Sequence, residues 1–323
     1  WYVISEIKLA KNNLRKWMRS KRMGASTLAL LTAQSWIHYE PRGVVLIIAP
    51  WNFPFNLTVG PLISAIAAGN RVIIKPSEMT PNVSKLINRM INELFEPNRV
   101  AIFEGDHKVA QSLLKYPFHH IFFVGSPSIG KIVMAEAAKH LSSITLELGG
   151  KTPTIIDETA NIQMAVNKLA WGKCLNLGQS CISPDYILVH ESKKSEFIEA
   201  LSKKINDVYG ESFEEKKKSN HLARIVNQRH WDRLDSLITS STDRGANIVH
   251  GGGRDRDSLF IEPTILDSVT LEMNIMNEEI FGPLLPVLDF KFLDDCIKII
   301  NQKDKPLALY MFSESKTNIK QVI

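Results

Sequence analysis

The stretch LNLGQSCISPDYILV, Leu175 to Val189, sets Cys181 between small and polar residues, and its apolar run begins only after Pro184. Structural cysteines behave as small hydrophobes and sit among other hydrophobes. A thiolate near the start of a helix or turn is instead stabilised by backbone N–H groups, and a general base elsewhere can activate it. Cys181 is therefore a candidate nucleophile, with an inert thiol as the plain alternative. PWNFPFNL places Asn52 at a strand end within a loop of Trp51, Phe53, Phe55 and two prolines. Its side-chain amide is the kind of donor a developing oxyanion needs; capping of its own loop is the alternative. LELGGK holds Glu147 between leucines. Desolvated there, the carboxylate would suit a general base; on the solvated face of the strand it would be ordinary.

Three further strings carry polar groups at element ends. GSPSIG runs from Gly125 through Ser126 to Gly130, between an apolar strand and a helix. Bare N–H groups and the helix dipole favour an anion such as a diphosphate there, although the glycine spacing is not the usual dinucleotide fingerprint. KPSE puts Lys75 at a strand end with Glu78 three residues on, a pair able to hold ribose hydroxyls or to form a surface salt bridge. NEEIFGP supplies Glu278, Glu279 and Phe281 before a Gly-Pro turn, either as a loop entering a cleft or as a helix end.

The elements that must position these residues follow from the hydrophobic pattern. GVVLIIAP is a continuous apolar run, as in a strand buried on both faces. A helix follows that should stop at Gly69, then the strand RVIIKP, then a helix with Thr80 as N-cap and Pro81 in its first position. VAIFEG, HHIFFVG and SITLELGG continue the alternation of strand and helix, which implies a parallel sheet with right-handed crossovers. A second alternation begins near Lys151 with TPTIID, a helix, DYILVH, a Lys-rich helix and LLPVLDF. The expected architecture is α/β: a doubly wound parallel-sheet domain over 1–148 and a second α/β domain over 149–323.

The 323 residues are 44% hydrophobic and 23% charged, an ordinary globular balance with room for two domains. Three cysteines argue against a disulfide framework and for a reducing compartment, read here as cytoplasmic. Cys174 and Cys181 lie too far apart for a CxxC pair, and Cys296 reads as a buried helix residue. No metal site is expected. The net charge of +5 is spread over Lys-rich helices that alternate with Glu and Asp, a solvated face rather than a nucleic-acid surface, so no nucleic-acid partner is expected.

Taken together and in order, PWNFPFNL, KPSE, FVGSPSIG, LELGGK, GQSCISPDY and EEIFGP resemble the aldehyde dehydrogenase superfamily. The single cysteine before Ile-Ser-Pro-Asp-Tyr is most similar to its class three branch, the fatty and aromatic aldehyde dehydrogenases. The resemblance implies an NAD(P)-dependent oxidation of a small-molecule aldehyde to the carboxylic acid. Cys181 would attack the aldehyde, with the Asn52 amide and the Cys181 N–H as oxyanion donors. The thiohemiacetal would pass a hydride to the nicotinamide, and Glu147 would activate the water that hydrolyses the resulting thioester. Glu279 would hold the nicotinamide ribose and share the base role, and Phe281 would pack near the nicotinamide. Lys75 and Glu78 would bind the adenosine ribose, and Gly125, Ser126 and Gly130 the diphosphate.

The resemblance also implies a small hairpin near 21–42 used in oligomerisation and a homodimer of the full-length protein. Relative to that superfamily both ends are incomplete, so the chain reads as part of a longer protein; some members of the branch carry a C-terminal membrane anchor. NAD is the expected cofactor, with NADP use possible, because Glu78 would repel a 2′-phosphate. Two other readings remain: a relative that transfers the acyl group to coenzyme A or reduces acyl phosphates, and an inactive dinucleotide-binding remnant.

Overall fold

In the computed structural model, residues 1–24, 27, 29 and 32–323 are described. The chain forms two compact units, Trp1–Glu147 and Leu148–Ile323. The first begins with helix α1 (Tyr2–Trp17) and the short antiparallel pair β1 (Lys21–Met23) and β2 (Ser35–Ile37). The tip of the hairpin expected near 21–42 falls on residues 25, 26, 28, 30 and 31, outside the described residues. Strand and helix then alternate as β3 (Val44–Ile48), α2 (Asn56–Ala67), β4 (Arg71–Lys75), α3 (Pro81–Leu94), β5 (Val100–Ile102), α4 (His107–Leu113), β6 (His120–Gly125), α5 (Pro127–Ala138) and β7 (Ser143–Leu148). The sheet order is β5-β4-β3-β6-β7, and β3 pairs in parallel with both β4 and β6.

The reasons are local. In β3, Val45 to Ile48 are all buried, as a continuous apolar run with helices on both faces requires. Gly69 ends α2 at φ +81 with its N–H on the Ile66 carbonyl, a left-handed stop that favours glycine. Thr80 does precede α3, but its hydroxyl makes no cap bond; Pro81 fixes the first turn instead. The core beneath the sheet includes Ile47, Leu62, Ile74, Ile87 and Ile91.

The second unit runs β8 (Pro153–Ile156), α6 (Ile162–Cys174), β9 (Tyr186–His190), α7 (Lys194–Tyr209), α8 (Phe213–Lys218), α9 (Gln228–Thr242), β10 (Asn247–His250), β11 (Arg254–Asp255), β12 (Phe260–Ile261), β13 (Thr264–Asp267), β14 (Leu284–Phe290), α10 (Leu293–Asn301), β15 (Tyr310–Phe312) and α11 (Lys316–Val322). Its six-stranded sheet has the order β10-β13-β14-β9-β8-β15. From β13 to β15 all neighbours are parallel; β10 adds an antiparallel edge. Successive residues of β9 feed different cores: Tyr186 and Leu188 pack on one cluster, Ile187 and Val189 on another. Two-sided burial explains why this strand lacks polar alternation.

Cys296 is fully buried in α10, as its sequence context implies. The Lys-rich α8 differs from expectation at one position. Lys216 is buried and paired with Glu262 at 3.1 Å, its Nζ also donating to the Glu211 carbonyl. A buried cation needs such partners, and sequence spacing on a helix does not show a carboxylate 46 residues away. Among the described residues, no helix is long and apolar enough to cross a membrane.

Candidate active site

In the second unit, β8, β9, β14 and β15 point the same way. Their amino ends therefore share one edge of the sheet, and the segments that enter them share it too. These are 149–152 before β8, 179–185 before β9, 277–283 before β14 and 303–309 before β15. Cys181, Glu279 and Phe281, separate in sequence, belong to this edge.

The turn that carries Cys181 is heavily specified. Helix α6 ends at Cys174, and Asn176 and Leu177 follow at φ 49 and 54, with Gly178 at φ 74. Left-handed backbone at residues with a Cβ costs free energy and persists where the surroundings impose it. At Gly178 a Cβ would run into the Gly282 carbonyl. Gln179 is buried: its amide donates to the carbonyls of Asn176 (2.9 Å) and Arg224 (3.0 Å) and accepts from the Val226 N–H (3.0 Å). The Ser183 N–H returns to the Ser180 carbonyl at 3.0 Å, closing a turn around Cys181. Lys173, buried, donates to the Pro184 carbonyl at 2.8 Å, and burial brings its ammonium down to about 8. Of the three cysteines, Cys181 is the one that is not buried. Burial pushes the thiols of Cys174 and Cys296 up to about 12, which keeps both protonated and inert.

Glu279 is held by its backbone. Lys151 donates to the carbonyls of Ile275 (2.7 Å) and Glu278 (3.0 Å) and forms an ion pair with the buried Asp185. Asp185 in turn accepts from the Ile280 N–H at 2.8 Å. Arg233 of α9 donates to the carbonyls of Glu279 (3.3 Å) and Ile280 (2.5 Å), and Lys303 to that of Met276 (2.6 Å). Cations thus satisfy carbonyls of the short 3₁₀ helix Asn274–Met276 and of the loop that follows it, as buried polar groups require. Phe281 follows at φ 49, a left-handed conformation rare for an aromatic residue.

The Glu279 carboxyl lies against Gly149 and Gly150. Burial raises it from the ordinary carboxylate range to about 7, and the charge of Asp185 adds to the rise; the Gly150 N–H, Arg233 and Lys151 pull the other way. A carboxylate titrating near neutrality is suited to taking a proton from water. A Cβ on Gly149 would overlap this carboxyl. Because the clash is with the free end of a flexible side chain, Gly149→Ala is expected to leave the melting temperature nearly unchanged. Activity should nevertheless fall by about 10²-fold through displacement of the carboxyl. Thermal melting and steady-state kinetics on the one variant check both parts.

In the first unit the candidates gather at the opposite kind of edge, the carboxyl ends of β3, β4 and β6. The Ala49 N–H bonds the Lys75 carbonyl at 3.0 Å, tying the loop after β3 to the end of β4. Asn52, Trp51, Phe53 and Phe55 are all half-buried in that loop, and α2 starts directly from it. Lys75 is not a surface residue: it is 3% exposed and pairs with Glu78 at 2.5 Å. Ser126 caps α5, its Oγ accepting from the Ile129 N–H at 3.4 Å, and Gly130 is buried inside the first turns. Glu147 is exposed near the end of β7, whose other residues are half-buried.

Lys151, Asp185, Arg233 and Gln179 form the scaffold of the second unit's edge and are not singled out by sequence reasoning. Lys151 falls within the string LELGGK, and Gln179 and Asp185 within GQSCISPDY, whereas Arg233 lies in an unremarkable amphipathic helix. Among the described residues no group of three or more His, Cys, Asp or Glu side chains is placed to hold a metal ion.

The sequence profile of the Aldehyde dehydrogenase family matches residues 3–323. A 4,4'-diaponeurosporen-aldehyde dehydrogenase of Staphylococcus aureus is 48% identical over 320 residues, which cover 99% of this chain and 68% of the relative. A mouse protein named "Aldehyde dehydrogenase, dimeric NADP-preferring" is 42% identical over 322 residues, covering 100% of this chain and 69% of the relative. Among solved structures, a substrate-bound state of Staphylococcus aureus AldH superposes with a TM-score of 0.95 at 48% identity, over 99% of this chain and 69% of that one. With a match along nearly its whole length, the chain belongs to the aldehyde dehydrogenase family and is an aldehyde-oxidising oxidoreductase.

Proposed function

We propose that this chain oxidises its aldehyde through a thiohemiacetal and a thioester on Cys181, with NAD(P) as cofactor. The observation that carries the reading is the placement of Cys181, a part-exposed thiol on a strained, heavily anchored turn at the same sheet edge as a carboxyl that titrates near 7. Cys181 adds to the carbonyl carbon, and its own N–H and the Asn52 amide receive the oxyanion. Two carboxylates serve the hydrolysis of the thioester: Glu147, which the resemblance assigns, and Glu279, whose desolvation suits proton abstraction at neutral pH.

Unit Trp1–Glu147 is read as the cofactor domain and Leu148–Ile323 as the catalytic domain. The residues fit a dinucleotide: the buried Lys75 and its partner Glu78 offer a donor and an acceptor for ribose hydroxyls, and Ser126 opens a 12-residue helix whose N–H groups suit a diphosphate. Glu279 and Phe281 would hold the nicotinamide end. NAD(P), when bound, supplies the hydride acceptor that turns the thiohemiacetal into a thioester. The mouse relative's name gives NADP as its preference; here Glu78 is read as favouring NAD. Glu78→Gln is expected to lower KM for NADP by about tenfold while changing that for NAD little, because one like charge near the 2′-phosphate is removed. Parallel titrations with the two cofactors check it. A homodimer of the full-length protein, with the hairpin near 21–42 used in oligomerisation, is proposed from the resemblance, together with a reducing, cytoplasmic setting.

The test mixes the protein with NAD and hexanal, follows NADH absorbance, and maps iodoacetamide labelling. NADH formed without coenzyme A, and lost in step with alkylation of Cys181, supports the reading. Turnover only after coenzyme A is added replaces it with acyl transfer. No turnover under either condition, with nucleotide still bound, marks a binding remnant.

A further inference from the structure

We propose that Tyr310 is a positioning residue for Cys181, its phenol holding the backbone one residue past the thiol. The proposal rests on the reading of Cys181 as nucleophile. Tyr310 is the first residue of β15 and pairs in register with Thr154 of β8, which places it on the amino edge where the Cys181 turn lies. Its O–H donates to the Ile182 carbonyl at 2.7 Å, across 128 residues of sequence. The phenol's ionisation is raised by burial and further by the charge of Cys181, so the ring lies within electrostatic reach of the thiol and stays a donor at neutral pH.

The bond matters because of what anchors the rest of the turn. The Ser183 N–H closes it onto Ser180, Lys173 fixes the Pro184 carbonyl, and Lys151 and the Ile280 N–H fix Asp185. Ile182 is different: its side chain is 50% exposed, so packing holds it weakly. The phenol supplies the constraint that burial does not. A fixed Ile182 carbonyl holds the Ile182–Ser183 peptide, the second peptide after Cys181, and so limits how far the backbone on the carboxyl side of Cys181 can turn and redirect the thiol. A few tenths of an ångström or a few degrees there act on the attack geometry rather than on substrate affinity.

Tyr310→Phe keeps the ring and removes only the donor. It is expected to lower kcat about tenfold, the scale of one hydrogen bond lost from the aligned state, with KM for aldehyde and cofactor little changed. The iodoacetamide rate at Cys181, measured without cofactor or aldehyde, should fall in parallel. Hydrogen exchange of the 179–185 peptide should quicken. Selective labelling of Cys181 at the wild-type rate in the variant overturns the proposal. So does faster exchange confined to 306–314, which would mean that the phenol only steadies β15. A wild-type protein in which Cys174 or Cys296 labels before Cys181 overturns the assignment of the nucleophile, and this proposal with it.

Discussion

Cys181→Ser is expected to lower aldehyde oxidation by at least about 10⁴-fold while leaving the fold intact, because a serine hydroxyl stays protonated where a thiol ionises and is the weaker nucleophile. Cys181 is part-exposed, so exchanging sulfur for oxygen creates no buried orphan, and its stability should change by less than about 1 kcal/mol. The other two cysteines give the matching control. Cys174 and Cys296 are 1% and 0% exposed, and burial keeps both thiols protonated. Serine at either is expected to cost stability, on the order of 1–3 kcal/mol at Cys296 and less at Cys174, where the Tyr209 hydroxyl is a hydrogen-bond partner, with activity retained in whatever fraction stays folded. Kinetics and thermal melting of the three variants together separate a lost nucleophile from a damaged core. Equal activity loss in all three at equal stability would refute the role of Cys181.

Glu279→Gln is expected to produce the second largest effect, on hydrolysis of the thioester. The wild-type rate should climb as pH rises through about 7, as the carboxyl gives up its proton. In the variant that limb should vanish, and turnover should fall by about 10²–10³-fold, the usual contribution of a positioned base. NADH should then appear as a burst equal to the enzyme present, followed by a slow phase, because the thioester accumulates. Glu147→Gln, by contrast, is expected to slow turnover while leaving the midpoint near 7, which belongs to the buried Glu279 carboxyl. If the midpoint follows Glu147 instead, the base roles are reversed.

The same carboxyl makes a stability statement of definite sign. The folded chain binds this proton more tightly than the unfolded chain, whose carboxyl titrates near 4.5. Its stabilising contribution is complete below the unfolded value and is lost as pH rises through about 7. Above that pH, Glu279→Gln is expected to be more stable than wild type, by an amount on the order of 2 kcal/mol. Chemical denaturation on both sides of neutrality checks the sign.

Much of the fold is legible in the order of residues, because its causes are local. The continuous apolar run Val45 to Ile48 predicts a strand buried on both faces and DYILVH predicts a strand; both lie among parallel neighbours inside their sheets. Gly69 stops its helix by φ, and Ser126 caps its own. The strings around Cys181, Asn52 and Lys75 are legible too, since each places a reactive or polar side chain where a strand or helix ends.

The tertiary structure decided what sequence neighbours cannot. Ligands of open α/β sheets are expected beyond the carboxyl ends of strands, and Asn52, Lys75 and Ser126 lie at or just past the carboxyl ends of β3, β4 and β6. Cys181 and Glu279 lie before their strands, and only the parallel pairing of β8, β9, β14 and β15 brings them to one edge. The burial of the carboxylates was decided the same way. Leucines on either side of Glu147 suggest desolvation, but both are only half-buried and Glu147 is exposed. Glu279, whose string alone leaves a cleft loop and a helix end equally open, is desolvated in a segment whose carbonyls are tied down by Lys151, Arg233 and Lys303, cations between 24 and 128 residues away. Sequence specifies residue types and local geometry; burial and charge proximity depend on contacts that exist only once the chain has folded.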